Sequence, residues 1–215
     1  MRTLKGEKLE LELKRLEAMR AYEKEYDACS FICGIDEAGR GPLAGPVVAG
    51  AVVLKKDAQI LYLNDSKKLS EKRREELYLE IQEKAVSWAV GIAGPERIDE
   101  INILQATYEA MREAVSKLSV PPDILLNDAV TIPGLDIPQV SIIKGDAKSV
   151  SIAAASVMAK VTRDHQLLQL DALYPQYGFA KHKGYPTKLH YERIEQFGVC
   201  PQHRLSFLKK ILNRG

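Results

Sequence analysis

The sequence has too few cysteines to be stapled by them. Its three, Cys29, Cys33 and Cys200, are odd in number and fit neither a zinc-ligand spacing nor a redox pair, so reduced thiols are expected. Nowhere is there an apolar run of the ~20 residues a helix needs to cross a bilayer. The first residues, MRTLKGEKLELELKRLEAMR, mix acids and bases where a secretory leader would be apolar. A cytoplasmic protein with no membrane association is expected. Excess charge is also lacking: 31 Lys and Arg against 29 Asp and Glu leave +2, so net charge alone does not call for a polyanionic partner. The four histidines show no ligand-like spacing, and His182 and His203 are expected at the surface among basic neighbours, with a phosphate-facing role as the alternative. What is present is ordinary for a globular chain, 46% hydrophobic and 28% charged over 215 residues, enough to bury a core of its own.

Charge is uneven along the chain. From Lys181 to Gly215 there are eight Lys and Arg against two Glu, a net of +6 that suits either a basic face for nucleic acid or a solvated helical surface. Residues 7 to 27 carry Leu9, Leu13 and Leu16 at helical spacing among balanced charges, which predicts an amphipathic helix. Residues 1–28 are read as an N-terminal helical extension and 29–215 as one domain, and a chain lacking residues 1 to 27 is expected to fold.

FICGID and PVVAGAVVLK are short β-forming runs joined by a Gly/Pro-rich turn, which predicts two neighbouring central strands. Ser70 can cap a helix over EKRREELYLEIQEK, and AVSWAVGIAG reads as a third strand. Ile101, Leu104, Tyr108, Met111, Val115 and Leu118 step by three and four, predicting one helix over Glu96 to Leu118. DILLND and QVSIIKGD follow as two short strands that each end on an acid. SVSIAAASVMAKVTRDHQLLQLDALY then predicts a long helix whose Ala/Ser-rich first half can lie close against the sheet. TKLHYERIEQFG and LSFLKKILNRG give two short C-terminal helices. The order fits an α/β fold with a mixed five-stranded sheet flanked by helices.

The acids fall at the strand ends. Asp36 and Glu37 close the first strand, Asp128 the fourth, and Asp146 follows the fifth. Functional crevices of open α/β sheets lie beyond the carboxyl ends of strands, where strand order reverses. Four converging carboxylates repel one another unless a cation is bound, and an all-oxygen donor set favours Mg²⁺ or Mn²⁺. Such a centre suits phosphoryl transfer, in which paired metals activate a water and stabilise the leaving oxygen. Gly39 and Gly41 flank Arg40 in the next turn, a loop able to approach a ligand closely with its guanidinium toward phosphate or sugar, or simply a tight turn between strands.

These segments resemble a known family. GIDEAGRGPLAGPVVAGAVVL, DSKKLS, IIKGDAKSVSIAAASVMAKVTRD and YGFAKHKGYPT, in this order, are similar to the signature segments of bacterial ribonuclease HII, covering the chain from about Ile32 onward. The resemblance implies a ribonuclease H-like fold and a metal-dependent endonuclease. Its expected substrates are the RNA strand of RNA/DNA hybrids and duplex DNA containing ribonucleotides, cut on the 5′ side to leave 3′-hydroxyl and 5′-phosphate ends. It further implies that Asp36, Glu37, Asp128 and Asp146 hold two Mg²⁺ or Mn²⁺ ions with substrate bound. The third carboxylate of the family usually lies in a segment similar to LLxDA or LxDG, and Asn127 before Asp128 is a mild variation of it that leaves the carboxylate in place. By the same match Gly39, Arg40 and Gly41 contact the ribonucleotide 2′-OH and adjoining phosphates, and Tyr185 packs against the next sugar. Lys67, Lys68, Lys144, Lys148 and Lys160 could hold phosphates of the duplex; for Lys160 a salt bridge to an acid is the alternative. A monomer is expected, because the cleft must stay open to a duplex.

Overall fold

Strands β1 (Ile32–Ala38) and β2 (Val47–Leu54) lie side by side, antiparallel, with Cys33 opposite Val53 and Asp36 opposite Gly50. They belong to a mixed five-stranded sheet of order β3-β2-β1-β4-β5 in the computed structural model, which describes residues 5–212. β3 (Ala85–Ala93) pairs antiparallel with β2, while β4 (Ile124–Asp128) and β5 (Gln139–Ile142) continue from β1 in parallel. The carboxyl ends of β1, β4 and β5 therefore share one edge, and β1 stands where the sheet changes from antiparallel to parallel.

Both faces are covered. On one, α4 (Pro95–Ser116) packs against Cys33, Ile35, Val47, Ala49, Ala51 and Val53. On the other lie α3 (Glu71–Lys84) and the long α5 (Val150–Leu173). The small residues expected to bring α5 close are matched by glycines of the sheet. A Cβ at Gly34 would stand 2.0 Å from the carbonyl carbon of Ser151, and one at Gly50 would stand 2.4 Å from the Ala155 oxygen. Helix and sheet thus touch backbone to backbone, at a separation only glycine allows. Ser70 caps α3 as expected, its hydroxyl accepting from the Arg73 N–H. A short α6 (Phe179–His182) precedes the two C-terminal helices, α7 (Lys188–Phe197) and α8 (Leu205–Leu212). Arg214 of the basic C-terminal stretch lies outside the described residues.

Two helices differ from expectation. The helix over Glu96 to Leu118 is interrupted at Asn102 (φ 68°, ψ 164°), whose side-chain oxygen accepts from the Leu104 and Gln105 N–H groups and restarts the helix. Apolar periodicity runs through the break because both halves face the same core. The N-terminal helix also divides, into α1 (Glu7–Ala18) and α2 (Ala21–Glu25). The break lets Met19 and Leu16 bury beside Val52, Ile60, Leu63 and Leu77, while the Glu23 carboxylate accepts from Ser149 Oγ (2.6 Å) and the Ser151 N–H (3.0 Å) at the start of α5. Removing residues 1–27 should leave a cooperatively folding chain with a lower melting temperature. The loss is about 3 kcal/mol or more for two buried apolar side chains, at roughly 2–4 °C per kcal/mol in a chain of this size. An unchanged melting temperature would contradict this docking.

Candidate active site

Pleat geometry separates the two adjacent acids of β1. Asp36 shares the α5 face with Gly34, whereas Glu37 shares the opposite face with Ile35. Asp36, Asp128 and Asp146 each offer a carboxylate oxygen within 4.8 Å of the other two. Asp36 is fixed by the Glu37 N–H (2.7 Å) and by Ser156, whose hydroxyl also meets Ser66 Oγ at 2.8 Å. Asp128 accepts from the Gly145 N–H at 2.7 Å, which ties the end of β4 to the turn Gly145–Ala147 that carries Asp146. Glu37 is held by Arg40 at 3.4 Å.

Electrostatics at this edge favour a cation. Burial, followed by the neighbouring Glu37 and Asp128 charges, drives Asp36 well above the usual carboxylate range. Burial also raises Glu37, against the pull of Arg40, and burial with Asp65 and Asp128 raises Asp146. Lys67, with its ammonium 3.9 Å from Asp146, is raised by Asp36, Asp65 and Asp146 despite partial burial. The close, all-oxygen, mutually repelling donor set fits Mg²⁺ or Mn²⁺.

Next to the acids, the Gly39–Gly41 turn meets the C-terminal segment. A Cβ on Gly41 would lie 4.0 Å from the Tyr185 ring, so residues 144 positions apart in sequence form one surface. Tyr185 is 42% exposed, with the Arg163 guanidinium 5.8 Å from its ring centre. Leu43 donates to the Gly184 carbonyl at 2.8 Å, closing the seam. Lys67, Lys68, Lys144 and Lys148 are exposed, and Lys144 takes a left-handed conformation (φ 59°) beside Asp146. Lys160 instead bonds Asp164 at 2.6 Å, a carboxylate it shares with Arg74.

The Ribonuclease HII family model matches residues 33–210. The chain belongs to this family. Its members are metal-dependent nucleases that degrade RNA in RNA/DNA hybrids. A ribonuclease HII of Lachnoclostridium phytofermentans is 60% identical over 205 residues, which are 95% of this chain and 81% of that protein. The ribonuclease H2 of Pyrococcus horikoshii superposes with a TM-score of 0.72 at 29% identity, over 86% of this chain and 98% of that one. The RNase HII of Archaeoglobus fulgidus, solved in complex with PCNA, gives 0.67 at 28% identity over 81% and 94%. Among the described residues no helix is long and apolar enough to cross a membrane.

In this ribonuclease HII chain several residues that support the site were not singled out from sequence. Asp65 lies against Asp146 and Lys67, and its carboxylate accepts the Lys67 N–H at 2.9 Å. Arg163 and Arg204 are fully buried. Arg204 donates to the carbonyls of Gly39 (2.7 Å), Arg40 (3.0 Å) and Gly45 (2.9 Å); Arg163 donates to Ala44, Pro46 and Lys183. Two guanidiniums thus hold the turn by its backbone, while the half-exposed Arg40 side chain pairs with Glu37. Arg204 therefore does not contribute to an exposed basic face. His182 and His203, expected at the surface, are buried with His190 against Tyr177 and Phe179. Basic neighbours in sequence misled because they do not fix exposure: Lys181 is exposed, but Arg204 beside His203 is itself fully buried.

Proposed function

We propose that this chain hydrolyses the phosphodiester on the 5′ side of a ribonucleotide, in RNA/DNA hybrids and in DNA with embedded ribonucleotides, leaving 3′-hydroxyl and 5′-phosphate ends. Asp36, Glu37, Asp128 and Asp146 would hold two Mg²⁺ or Mn²⁺ ions with substrate bound. Divalent cations there supply an activated water and charge neutralisation at the phosphate. Arg40, anchored by Glu37, presents its guanidinium at the mouth of the site, and Lys67 offers a charge to an incoming phosphate. The backbone of Gly39–Gly41 can approach a 2′-OH without side-chain obstruction, the contact that distinguishes RNA from DNA. Tyr185 offers a flat ring to the adjoining deoxyribose. Lys68, Lys144 and Lys148 flank the approach of the duplex, while Lys160 supports α5 through Asp164. In this reading residues 29–215 carry the reaction as a monomer and residues 1–28 brace α5.

One observation carries the reading. Asp36, Glu37 and the Gly39–Gly41 loop are consecutive on one strand end and its turn, so the cutting acids stand at a fixed offset from the sugar-reading loop. A rigid offset of this kind makes the cut register with the ribose. The test is a set of duplexes that differ only in sugar, offered with Mg²⁺ or Mn²⁺. Cleavage of the hybrid and of the single-ribonucleotide duplex, with the all-DNA and all-RNA duplexes left intact, is expected; cutting of all-DNA at a comparable rate would defeat the proposal.

A further inference from the structure

Three buried imidazoles stand behind Tyr185, and their hydrogen-bond partners leave each only one neutral tautomer. His190 Nδ1 lies 3.0 Å from the Tyr185 carbonyl oxygen, which can only accept, so the proton is on Nδ1. His190 Nε2 is then bare and must accept from its partner 3.1 Å away, His203 Nε2. His203 consequently carries its proton on Nε2, which leaves Nδ1 to receive the Cys200 backbone N–H at 2.9 Å; the Cys200 carbonyl, 3.3 Å from Nδ1, accepts the His203 backbone N–H at 3.0 Å instead. His182 follows the same rule: Nε2–H donates to the Tyr177 carbonyl at 2.9 Å and Nδ1 receives the Gly184 N–H at 3.2 Å. The His182 and His190 rings stack with centroids 4.2 Å apart.

We propose that His190 and His203 are positioning residues, a proton-ordered relay running from the Cys200 N–H through both rings to the Tyr185 carbonyl that sets the Tyr185 ring against Gly41. His182 completes the clamp by holding Gly184, the preceding left-handed residue (φ 79°). The proposal rests on the reading of Tyr185 as the sugar platform. A fourth proton has no place: adding one to His190 Nε2 would set it against the His203 N–H. The other titratable groups facing the rings are the Cys200 thiol, 3.2 Å from His203 Nδ1, the Tyr177 ring, and Asp171 toward His182. Burial lowers all three imidazoles, His190 to about 4. Because the folded state favours the neutral rings, the relay is intact above the ordinary histidine range near 6.5 and is lost as pH falls toward 4.

Two measurements test it on the full-length protein. Two-bond proton–nitrogen correlation of ¹⁵N-histidine-labelled protein near pH 7.5 should show His190 as the Nδ1–H tautomer and His182 and His203 as Nε2–H; His190 as Nε2–H overturns the relay. The second is kcat/KM on a single-ribonucleotide duplex against a long hybrid. His190→Leu should lower the first about tenfold and the second less than about threefold. His190→Asn, which keeps an N–H donor near the Nδ1 position, should restore the ratio, and His190→Leu should add nothing in a Tyr185→Ala background. The wild-type ratio should hold as pH is lowered from 7 to 5 and fall only as pH approaches 4, with hybrid cleavage as the internal reference. An unchanged ratio in folded His190→Leu, beside a reduced ratio in Tyr185→Ala, overturns the relay alone. An unchanged ratio in Tyr185→Ala overturns the platform reading and the relay with it.

Discussion

Asp36→Asn and Asp128→Asn should each lower cleavage of an RNA/DNA hybrid on the order of a thousandfold or more while hybrid binding survives. The carboxamide keeps the shape and the acceptor oxygen of the carboxylate, so the Gly145 N–H still has its partner at residue 128 and the Glu37 N–H at residue 36. What disappears is one negative charge from a cluster whose oxygens lie within 4.8 Å of one another. Without metal that charge is a burden to the fold, because burial and Glu37 already press Asp36 toward its neutral form. In chelator the melting temperature of Asp36→Asn should therefore equal or exceed that of the wild type. Activity within a few-fold of wild type, or a lowered melting temperature with lost activity, would show that these acids serve the core rather than the reaction.

Tyr185→Ala and Arg40→Ala should fall selectively on the junction substrate. Each removes one contact to a single sugar or phosphate, at about 1–3 kcal/mol, so kcat/KM on a single-ribonucleotide duplex should drop roughly tenfold to a hundredfold. Long hybrids should suffer less, because many registers of the duplex compete for the same site. Neither side chain holds the fold: Tyr185 is 42% exposed, and the turn carrying Arg40 is fixed by Arg204 through main-chain carbonyls. Comparing the two substrates for each variant in parallel is the check. Equal losses on both would assign these residues to general binding.

The sheet and the acids were legible because they obey short-range rules. Short β-forming apolar runs mark the strands, and Asp36, Asp128 and Asp146 stand at or just after the ends of those runs. The close approach of α5 was readable from its Ala/Ser-rich half, although its cause also lies in Gly34 and Gly50 of the sheet. Long-range polar burial was not legible. Arg204 looks like a surface cation until the fold supplies main-chain carbonyls for its guanidinium, as it does for Arg163, and His182 and His203 look like surface imidazoles until α6 stacks His182 on His190 of α7 and the segment ahead of α8 brings His203 against His190. The break at Asn102 was hidden because a residue that interrupts the backbone need not interrupt the apolar stripe. Asp65 stood in view within DSKKLS, but only folding brings it against Asp146.

The most direct measurement is product-end mapping on a labelled duplex with one ribonucleotide, cut in Mg²⁺ or Mn²⁺ by the wild type and by Asp128→Asn. Hydrolysis by water at a site offset from the ribose should give a single cut on the 5′ side of the ribonucleotide, with a 3′-hydroxyl on the preceding deoxynucleotide and a 5′-phosphate on the ribonucleotide. The cut should be absent in chelator and in Asp128→Asn. A cut on the 3′ side that leaves a 2′,3′-cyclic phosphate would make the ribose 2′-OH the nucleophile, and such ends, or undiminished cutting in chelator, would contradict the central claim.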